Sequence, residues 1–186
     1  GSGKFSLIVK GKAAHAGRDF NKGRNAICYL ADIVSEVNTL NGQREGLTVN
    51  VGLIAGGTAL NVVAEKAVAK LDVRMKSVED SSWFLMSLQT IVSKFKQNPD
   101  YQVVLHGDFS RVPKRLDSKT IQLLQKIKIV GSSLNMKIDW APSGGCCDGN
   151  NIAATGVPVV DTLGVIGGKI HSSDEYIVTE SLVERA

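Results

Sequence analysis

Two hydrophobic periodicities follow one another in a fixed order over the first 110 residues, and this order limits the fold more than any other feature. Alternation with period two indicates a half-buried strand, whereas apolar residues at i, i+3, i+4 and i+7 indicate a helix with one buried face. The predicted order is strand, helix, strand, strand, helix, strand, over residues 4–10, 25–40, 47–54, 62–75, 79–97 and 101–105. This order is typical of the ferredoxin-like βαββαβ fold, an α+β architecture with a four-stranded antiparallel sheet and both helices on one face.

The second face of this predicted sheet is polar, because Lys70, Asp72 and Arg74 alternate with apolar residues along the longest strand. A small open sheet also has two edges whose backbone groups need partners. We therefore expect one edge of the sheet to pair with a second subunit.

The remainder of the chain has a different character. Its pattern predicts a helix over residues 117–134, a short strand over 136–140, a buried strand over 157–160 and a last helix from 179. Two strands cannot bury the apolar faces of three helices, so this part resembles an incomplete piece of an α/β layer. Residues 1–3, Gly-Ser-Gly, are typical of an artificial joint and are left out of the predicted fold.

Charge and hydropathy exclude two classes of partner. The net charge is +4, and the 22 basic residues are spread along the chain without a polybasic run interleaved with aromatic residues. Nucleic acid is therefore not an expected partner. No apolar run approaches the ~18 residues of a membrane span, so no membrane partner is expected. We expect a cytoplasmic protein, and the sequence leaves periplasmic or secreted locations open, since the chain does not begin with Met.

Three cysteines, Cys28, Cys146 and Cys147, give an odd count with two of them adjacent. This argues against a disulfide framework, and the absence of a C-x-x-C pair argues against a structural zinc site. Cys146 or Cys147 could be a nucleophile beside a helix N-terminus, and a cysteine hydrolase using Cys147 is one alternative. Small thiols packed in a glycine-rich turn are the favoured interpretation.

Two histidines lie in loops that suit chemistry. His15 is surrounded by small residues that leave its imidazole accessible, and His171 follows a predicted buried strand among Ser, Asp and Glu residues able to orient an imidazole. Ligands of open α/β sheets bind beyond the carboxyl ends of such strands. The alternative for each is an ordinary surface histidine, since one histidine alone makes no metal site.

Three further residues could bind a substrate. Asn61 begins the long strand that ends near Arg74, and an arginine offers a bidentate fork to a carboxylate. Arg111 lies at the predicted junction, where clefts form. The alternatives are a solvated Arg74 beside Asp72 and an interdomain salt bridge for Arg111. Asp148 is expected to cap the helix that follows it.

Three motifs in the same order resemble a known family. They are GKAAHAGRDFNKGRNAI, GGTALNVVAEKAVAKLDVR and PSGGCCDGNNIAATGVPVVDTLGVIGGKIHSSDEY. Together they resemble the zinc amidohydrolases and peptidases that include glutamate carboxypeptidase, acetylornithine deacetylase, succinyl-diaminopimelate desuccinylase and aminoacylase. The resemblance implies a catalytic α/β domain with two zinc ions and an inserted ferredoxin-like lid that forms a homodimer.

The resemblance also implies roles for individual residues. It makes His171 a zinc ligand and lets His15 reach into the neighbouring subunit's site to stabilise the oxyanion of the scissile carbonyl. It assigns substrate binding to Asn61, Arg74 and, less closely, Arg111. The turn formed by Ser143, Gly144 and Gly145 would line the pocket.

The departure from the family is large. The family's His-x-Asp motif, bridging Asp and Glu-Glu pair, which belong to the catalytic half before the lid, are absent here. The resemblance therefore implies a lid over residues 4–110 and a C-terminal fragment of the catalytic domain over 111–186, with the N-terminal catalytic half as a missing partner. The expected function is part of a two-zinc carboxypeptidase or deacylase acting on an N-acyl amino acid or peptide, with the fragment itself inactive. A non-catalytic homodimerisation module is the alternative.

Overall fold

The computed structural model describes residues 1–185, with six strands and five α-helices in that range. In chain order they are β1 (Ser2–Lys10), α1 (Ala26–Asn38), β2 (Thr48–Gly56), β3 (Lys66–Arg74), α2 (Val78–Lys96), β4 (Gln102–Arg111), α3 (Ser118–Ser133), α4 (Asp148–Ala154), β5 (Gly167–Gly168), β6 (Tyr176–Ile177) and α5 (Ser181–Arg185). No helix among residues 1–185 is both long and apolar enough to cross a membrane.

The first four strands form one antiparallel sheet in the order β2-β3-β1-β4. Strand β1 lies between β3 and β4, with Leu7 opposite Ala69 on one side and Leu105 on the other. Strands β2 and β4 are the two edges. This is the strand order of the ferredoxin-like fold, and it confirms the predicted α+β class.

The core lies between the sheet and helices α1 and α2. Alternate residues of β1, namely Phe5, Leu7 and Val9, are at most 2% exposed, as period-two alternation requires. Phe84 of α2 is completely buried, and its ring lies 5.5 Å from that of Phe5. The opposite face carries polar residues such as Lys4, Lys70 and Asp72, but it also carries a row of three apolar residues, Val68, Ile8 and Val104, on neighbouring strands.

Local hydrogen bonds fix where the two core helices begin. The Asn25 side-chain oxygen accepts from two backbone N–H groups in the first turn of α1, at 3.0 and 3.2 Å. At α2, Ser77 and Asp80 form a capping box. Such caps satisfy N–H groups that have no partner inside the helix.

Two details of the sheet differ from prediction. Strand β2 changes register between Val51 and Leu53, so that Leu53 is 44% exposed instead of sharing a face with Val51. The glycine between them allows this bulge, because it has no side chain to place. The expectation that residues 1–3 lie outside the fold is wrong, since Ser2 is buried and paired on both sides within the sheet.

Residues 1–114 and 141–154 form one compact unit, and residues 115–140 with the segment from 155 onward form a second. In the second unit, α3 begins within one residue of its predicted start. The carboxylate of its N-cap residue, Asp117, accepts from the Thr120 N–H at 2.7 Å. The predicted apolar stripe of α3 is only partly buried, since Val130 and Leu134 are 57% and 64% exposed.

The strands predicted over residues 136–140 and 157–160 are wrong, because the structure has irregular chain in both places. Val157 is 51% exposed, so the apolar run is not buried on both faces either. A strand forms only where a neighbouring strand pairs with its backbone groups. Among residues 1–185, no strand pairs with either segment.

Candidate functional site

The loop that carries His15 is joined by backbone hydrogen bonds to the segment that precedes β3. His15 and Val62 form an isolated antiparallel bridge, the Val63 N–H donates to the Ala14 carbonyl at 2.9 Å, and the Ala16 N–H donates to the Asn61 carbonyl at 2.9 Å. His15 and Asn61 are therefore neighbours, and both are exposed.

The imidazole of His15 is oriented by its own loop. Its Nδ1 atom accepts a hydrogen bond from the Gly17 backbone N–H at 3.1 Å. In a neutral imidazole one nitrogen accepts and the other carries the proton. This contact therefore places the proton on Nε2, where it is available as a hydrogen-bond donor. A neutral donor of this kind suits a developing oxyanion.

Arg74 and Arg111 lie at the other end of the sheet. In the strand register both are opposite Ser2, one on each side of β1. Arg74 binds Asp72 through Nε and one terminal nitrogen, at 3.0 and 2.8 Å. This bond with the Asp72 carboxylate raises the pKa of Arg74, and a hydrogen bond with the Cys146 thiol acts in the same direction. The guanidinium has five N–H donors, so it keeps donors for a ligand.

Arg111 binds the segment that contains α4. Its guanidinium donates to the Asp148 carboxylate at 3.0 Å, and the Asn150 side-chain amide donates to the Val112 carbonyl at 3.0 Å. The expectation that Asp148 caps α4 is wrong: Asp148 is the first residue of that helix, and its carboxylate pairs with Arg111. Asn150 instead accepts from the Cys147 N–H at 3.1 Å.

The predicted pocket-lining turn is formed by Ser143, Gly144 and Gly145. All three residues are exposed, and the Gly145 N–H donates to the Ser143 hydroxyl at 3.1 Å. A Cβ atom added at Gly144 would have no neighbour within 4 Å. The turn is therefore open to solvent.

His171 belongs to the second compact unit, in the loop joining β5 and β6. Its backbone is left-handed, with φ 65°, and its N–H donates to the Glu175 carboxylate at 3.1 Å. Glu175 thus binds the backbone of the loop. In residues 1–185 no three histidine, cysteine, aspartate or glutamate side chains come together as a group that could hold a metal ion.

The candidate residues of the first unit fall into two separate clusters. His15 and Asn61 lie beyond the Lys66 end of β3, and Arg74 lies at its other end. Eight strand steps of ~3.4 Å put about 27 Å between Lys66 and Arg74. The sequence led us to expect that Asn61 and Arg74 bind the same ligand. Within one chain they are too far apart to contact one small ligand together.

Two surface depressions lie away from both clusters. Two depressions of about 540 and 420 Å³ lie on the outer side of α2, around Met86 and Thr90. Neither contains His15, Asn61, Arg74 or Arg111.

The family model for the peptidase dimerisation domain of M20 peptidases matches residues 1–99, more than half of the chain. The chain belongs to this peptidase dimerisation domain family. The match covers the sheet up to β3 and both core helices. It includes His15, Asn61 and Arg74, whereas Arg111 lies beyond it.

Relatives of this dimerisation-domain chain include peptidases and hydrolases. Carboxypeptidase G2 of a Pseudomonas species is 26% identical over 95% of the chain, and a p-aminobenzoyl-glutamate hydrolase homolog of Haemophilus influenzae is 27% identical over 71%. The match spans 43% of the first protein and 31% of the second. The crystal structure of aminopeptidase PepT from Bacillus cereus superposes with a TM-score of 0.79 at 24% identity, over 99% of this chain and 48% of that one. The chain therefore spans less than half the length of these proteins.

Sequence reasoning missed two features of the dimerisation domain's candidate site. The bond from the Asn150 amide to the Val112 carbonyl joins residues 38 positions apart, and nothing in local periodicity indicates it. The hydrogen bond from the Gly17 N–H to His15 is indicated by the local sequence. A small residue two positions after a histidine allows the N–H of that small residue to approach the imidazole ring.

Proposed function

We propose that this chain is part of an M20 metal-dependent hydrolase that cleaves an amide bond next to a free carboxylate. The main support for the proposal is the Arg74 guanidinium, which lies at the Ser2 end of the sheet and keeps N–H donors beyond the two that bind Asp72. Membership of a peptidase dimerisation family supports the reaction class. The N-acyl amino acids and glutamate-type peptides form the substrate class that fits it best.

Arg74 binds the substrate carboxylate in this proposal. A charge-assisted bond from a guanidinium is worth about 1.5–3 kcal/mol and is directional when both carboxylate oxygens are engaged. Arg111 and the turn of Ser143, Gly144 and Gly145 line the same end of the sheet and hold the remainder of the substrate.

His15 acts in the site of the partner subunit. Because about 27 Å of strand separates its cluster from Arg74, one small substrate cannot contact both within a single chain. In a homodimer, the His15 end of one subunit's lid and the Arg74 end of the other subunit's lid can contact the same substrate. Asn61 accompanies His15, since the two are joined by backbone hydrogen bonds. There the Nε2–H of His15 donates to the oxyanion of the tetrahedral intermediate.

The described residues do not fit a two-zinc centre by themselves. Zinc sites use three or four protein ligands per ion, and His171 is the single candidate ligand in residues 1–185 that the motifs indicate. M20 peptidases are metal-dependent, and we propose that His171 adds one ligand to a set supplied mainly from outside this chain.

We further propose that residues 4–110 act as lid and dimerisation domain, and that 111–186 contribute to the catalytic domain. Edge strand β2 is the surface by which two lids pair, because its Leu53 and Ile54 are 44% and 54% exposed on an unpaired sheet edge. Exposed apolar residues on a free edge favour pairing with another strand.

Arg74→Gln in the full-length enzyme should lower kcat/KM about 10- to 100-fold, because the charge-assisted bond to the carboxylate is lost. Arg74→Lys should fall between, since it keeps the charge without the fork. Steady-state kinetics with a carboxylate substrate and its carboxamide analogue would measure this. The carboxamide should react slowly with the wild type and lose little further in Arg74→Gln. Equal losses for both substrates would refute the assignment.

A second candidate function is a homodimerisation module without catalysis, favoured by the match to the dimerisation domain. Ile54→Asp should raise the dimer dissociation constant about 100-fold, because it places a charge in an apolar strand-pairing surface. Ile129→Asp on α3, at a residue 70% exposed, is the matched control and should leave the dimer intact. Sedimentation equilibrium gives both constants. A wild-type chain that stays monomeric at high concentration would exclude β2 pairing.

The purified 186-residue chain should not hydrolyse an N-acylglutamate with added zinc, because its described residues lack a complete ligand set. A colorimetric amine-release assay with the full-length enzyme as positive control measures this. Zinc-dependent turnover by the chain alone would overturn the proposal that the catalytic ligands come from elsewhere, and would favour a self-sufficient site.

A further inference from the structure

We infer that the Asn41 side chain sets the register in which two copies of this chain pair along β2, with the two-fold axis passing between the two Ala55 residues. The inference rests on the proposed pairing of two lids through this edge strand. It adds which residues meet across the subunit boundary, and it identifies the residue that excludes the competing register.

The Asn41 side chain occupies part of the free edge of β2. Its amide nitrogen donates to the Val49 carbonyl at 2.9 Å, and its Oδ1 atom accepts from the Val49 N–H at 2.8 Å. A residue of a neighbouring antiparallel strand makes the same pair of bonds. Asn41 therefore takes the place of a paired strand at Val49, and no strand of a second subunit can bind there while these bonds hold.

The bonds to Asn41 also show which residues of β2 direct their backbone groups outward. Val49 lies opposite Val73 of β3, but its N–H and carbonyl are bonded to Asn41. In an antiparallel pair, residues that bond to the neighbouring strand alternate with residues that point away from it. Val51 therefore also directs its N–H and carbonyl away from β3, toward the free edge.

The other end of β2 gives the outward residues beyond the bulge. The Gly57 N–H donates to the Lys66 carbonyl at 3.2 Å, so Gly57 bonds toward β3. By the same alternation, Gly56 and Ile54 direct their backbone groups outward. The bulge after Val51 separates them from the first stretch. In the part of the chain that the structure describes, β3 is the one strand that pairs with β2, so these outward groups are open to a second subunit.

A symmetric antiparallel ladder can form on either side of the bulge. On the first side it would be centred on Asn50, with Val49 bonded to the partner's Val51. Asn41 excludes this register, because both backbone groups of Val49 are engaged. A ladder that joined the two stretches would set one bulge against the other and leave their extra residues unpaired.

The second register is centred on Ala55 and uses the groups that remain free. Ile54 then bonds to the partner's Gly56. Leu53 lies opposite the partner's Gly57. Leu53 and Ile54 are 44% and 54% exposed, and in this register each lies beside a glycine, which leaves room for the side chain to pack on the partner's strand. The first register would leave both side chains beyond the paired residues.

Disulfide trapping in the 186-residue chain distinguishes the two registers. Cys28, Cys146 and Cys147 are replaced by serine, and a new cysteine is introduced by Ala55→Cys or by Asn50→Cys, both at exposed positions of β2. At the centre of its register, each cysteine faces its own copy with Cα atoms about 4.5 Å apart, within the range of a disulfide. Non-reducing gels give the rate of covalent dimer formation with diamide. Sedimentation equilibrium measures the non-covalent dimer, and circular dichroism checks the fold.

Ala55→Cys should form the covalent dimer at least about tenfold faster than Asn50→Cys, because its sulfur atoms alone meet at the centre of the dimer. Adding Asn41→Ala should raise the Asn50→Cys rate about tenfold, since the two hydrogen bonds that hold Val49 are then lost and the first register becomes available.

Gln43→Ala is the matched control, because the Gln43 amide donates to the Thr39 carbonyl at 3.3 Å within the same loop. It should leave the Asn50→Cys rate unchanged. A dimer that cross-links equally at both positions, or faster at Asn50, overturns the register. An Asn50→Cys rate that does not respond to Asn41→Ala overturns the role of Asn41. A chain that sediments as a monomer overturns the proposed pairing itself and the inference with it, so the two failures are distinguishable.

Discussion

Replacing His15 with Ala in the full-length enzyme is expected to lower kcat about 100- to 1000-fold while leaving KM nearly unchanged. One well-placed oxyanion donor is worth about 2.7–4 kcal/mol, and the oxyanion exists only after the substrate has bound. The Gly17 N–H fixes the ring with Nε2 as donor, so the loss falls on the chemical step. Steady-state kinetics with an N-acylglutamate would measure it.

His106→Ala is the matched control, because His106 is an exposed histidine on β4 at a position to which no role is assigned. It should retain wild-type kcat. An unchanged kcat in His15→Ala would remove the oxyanion role, and an equal loss in both variants would indicate a general structural effect instead.

Replacing Phe84 with Ala is expected to lower the free energy of unfolding by about 3–5 kcal/mol, the usual cost of emptying an aromatic core position. Phe84 is fully buried and packs against the rings of Phe5 and Phe109, at 5.5 and 6.1 Å between centroids. These rings join α2 to strands β1 and β4, so their loss weakens the whole lid. Urea denaturation followed by circular dichroism measures the change.

Phe20→Ala provides the comparison, because Phe20 is 62% exposed in the His15 loop. Its unfolding free energy should change by no more than about 0.5 kcal/mol, as for surface substitutions in general. A similar loss in both variants would show that the core does not lie between the sheet and the helices.

The sequence predicts the lid well because its periodicities are local and strong. Residues such as Leu30, Ile33 and Val37 lie one turn apart and are all buried, and the alternation in β1 matches its buried face. The bulge in β2 is not visible in that pattern. It depends on a glycine that lets the edge strand twist, and the hydrophobic alternation continues through it.

The second unit is predicted less well for a physical reason. The apolar run over residues 157–160 has the composition of a buried strand, but a strand also needs a neighbour to pair with. In the described part of the chain that neighbour is absent, and the run stays irregular. The composition of residues 157–160 thus indicated a preference for strand, but the segment lacks the pairing strand that it needs to form one.

The candidate site shows the same limit. Motif matching indicated His15, Asn61, Arg74 and Arg111 one at a time, without their spacing. The structure groups His15 with Asn61 and Arg74 with Arg111, at opposite ends of one sheet. Long-range register decides this grouping, and a single sequence does not specify register directly.

The central claim is that one subunit supplies His15 and the other Arg74 to a shared substrate, and subunit complementation tests it most directly. Full-length His15→Ala and Arg74→Gln proteins are mixed, their dimers exchanged, and the heterodimers verified by native mass spectrometry. If the site is shared, each heterodimer contains one complete site, and random exchange should restore about a quarter of wild-type activity. If both residues act within one subunit, every site in the mixture stays defective. Activity that remains at the average of the two variants would then contradict the claim.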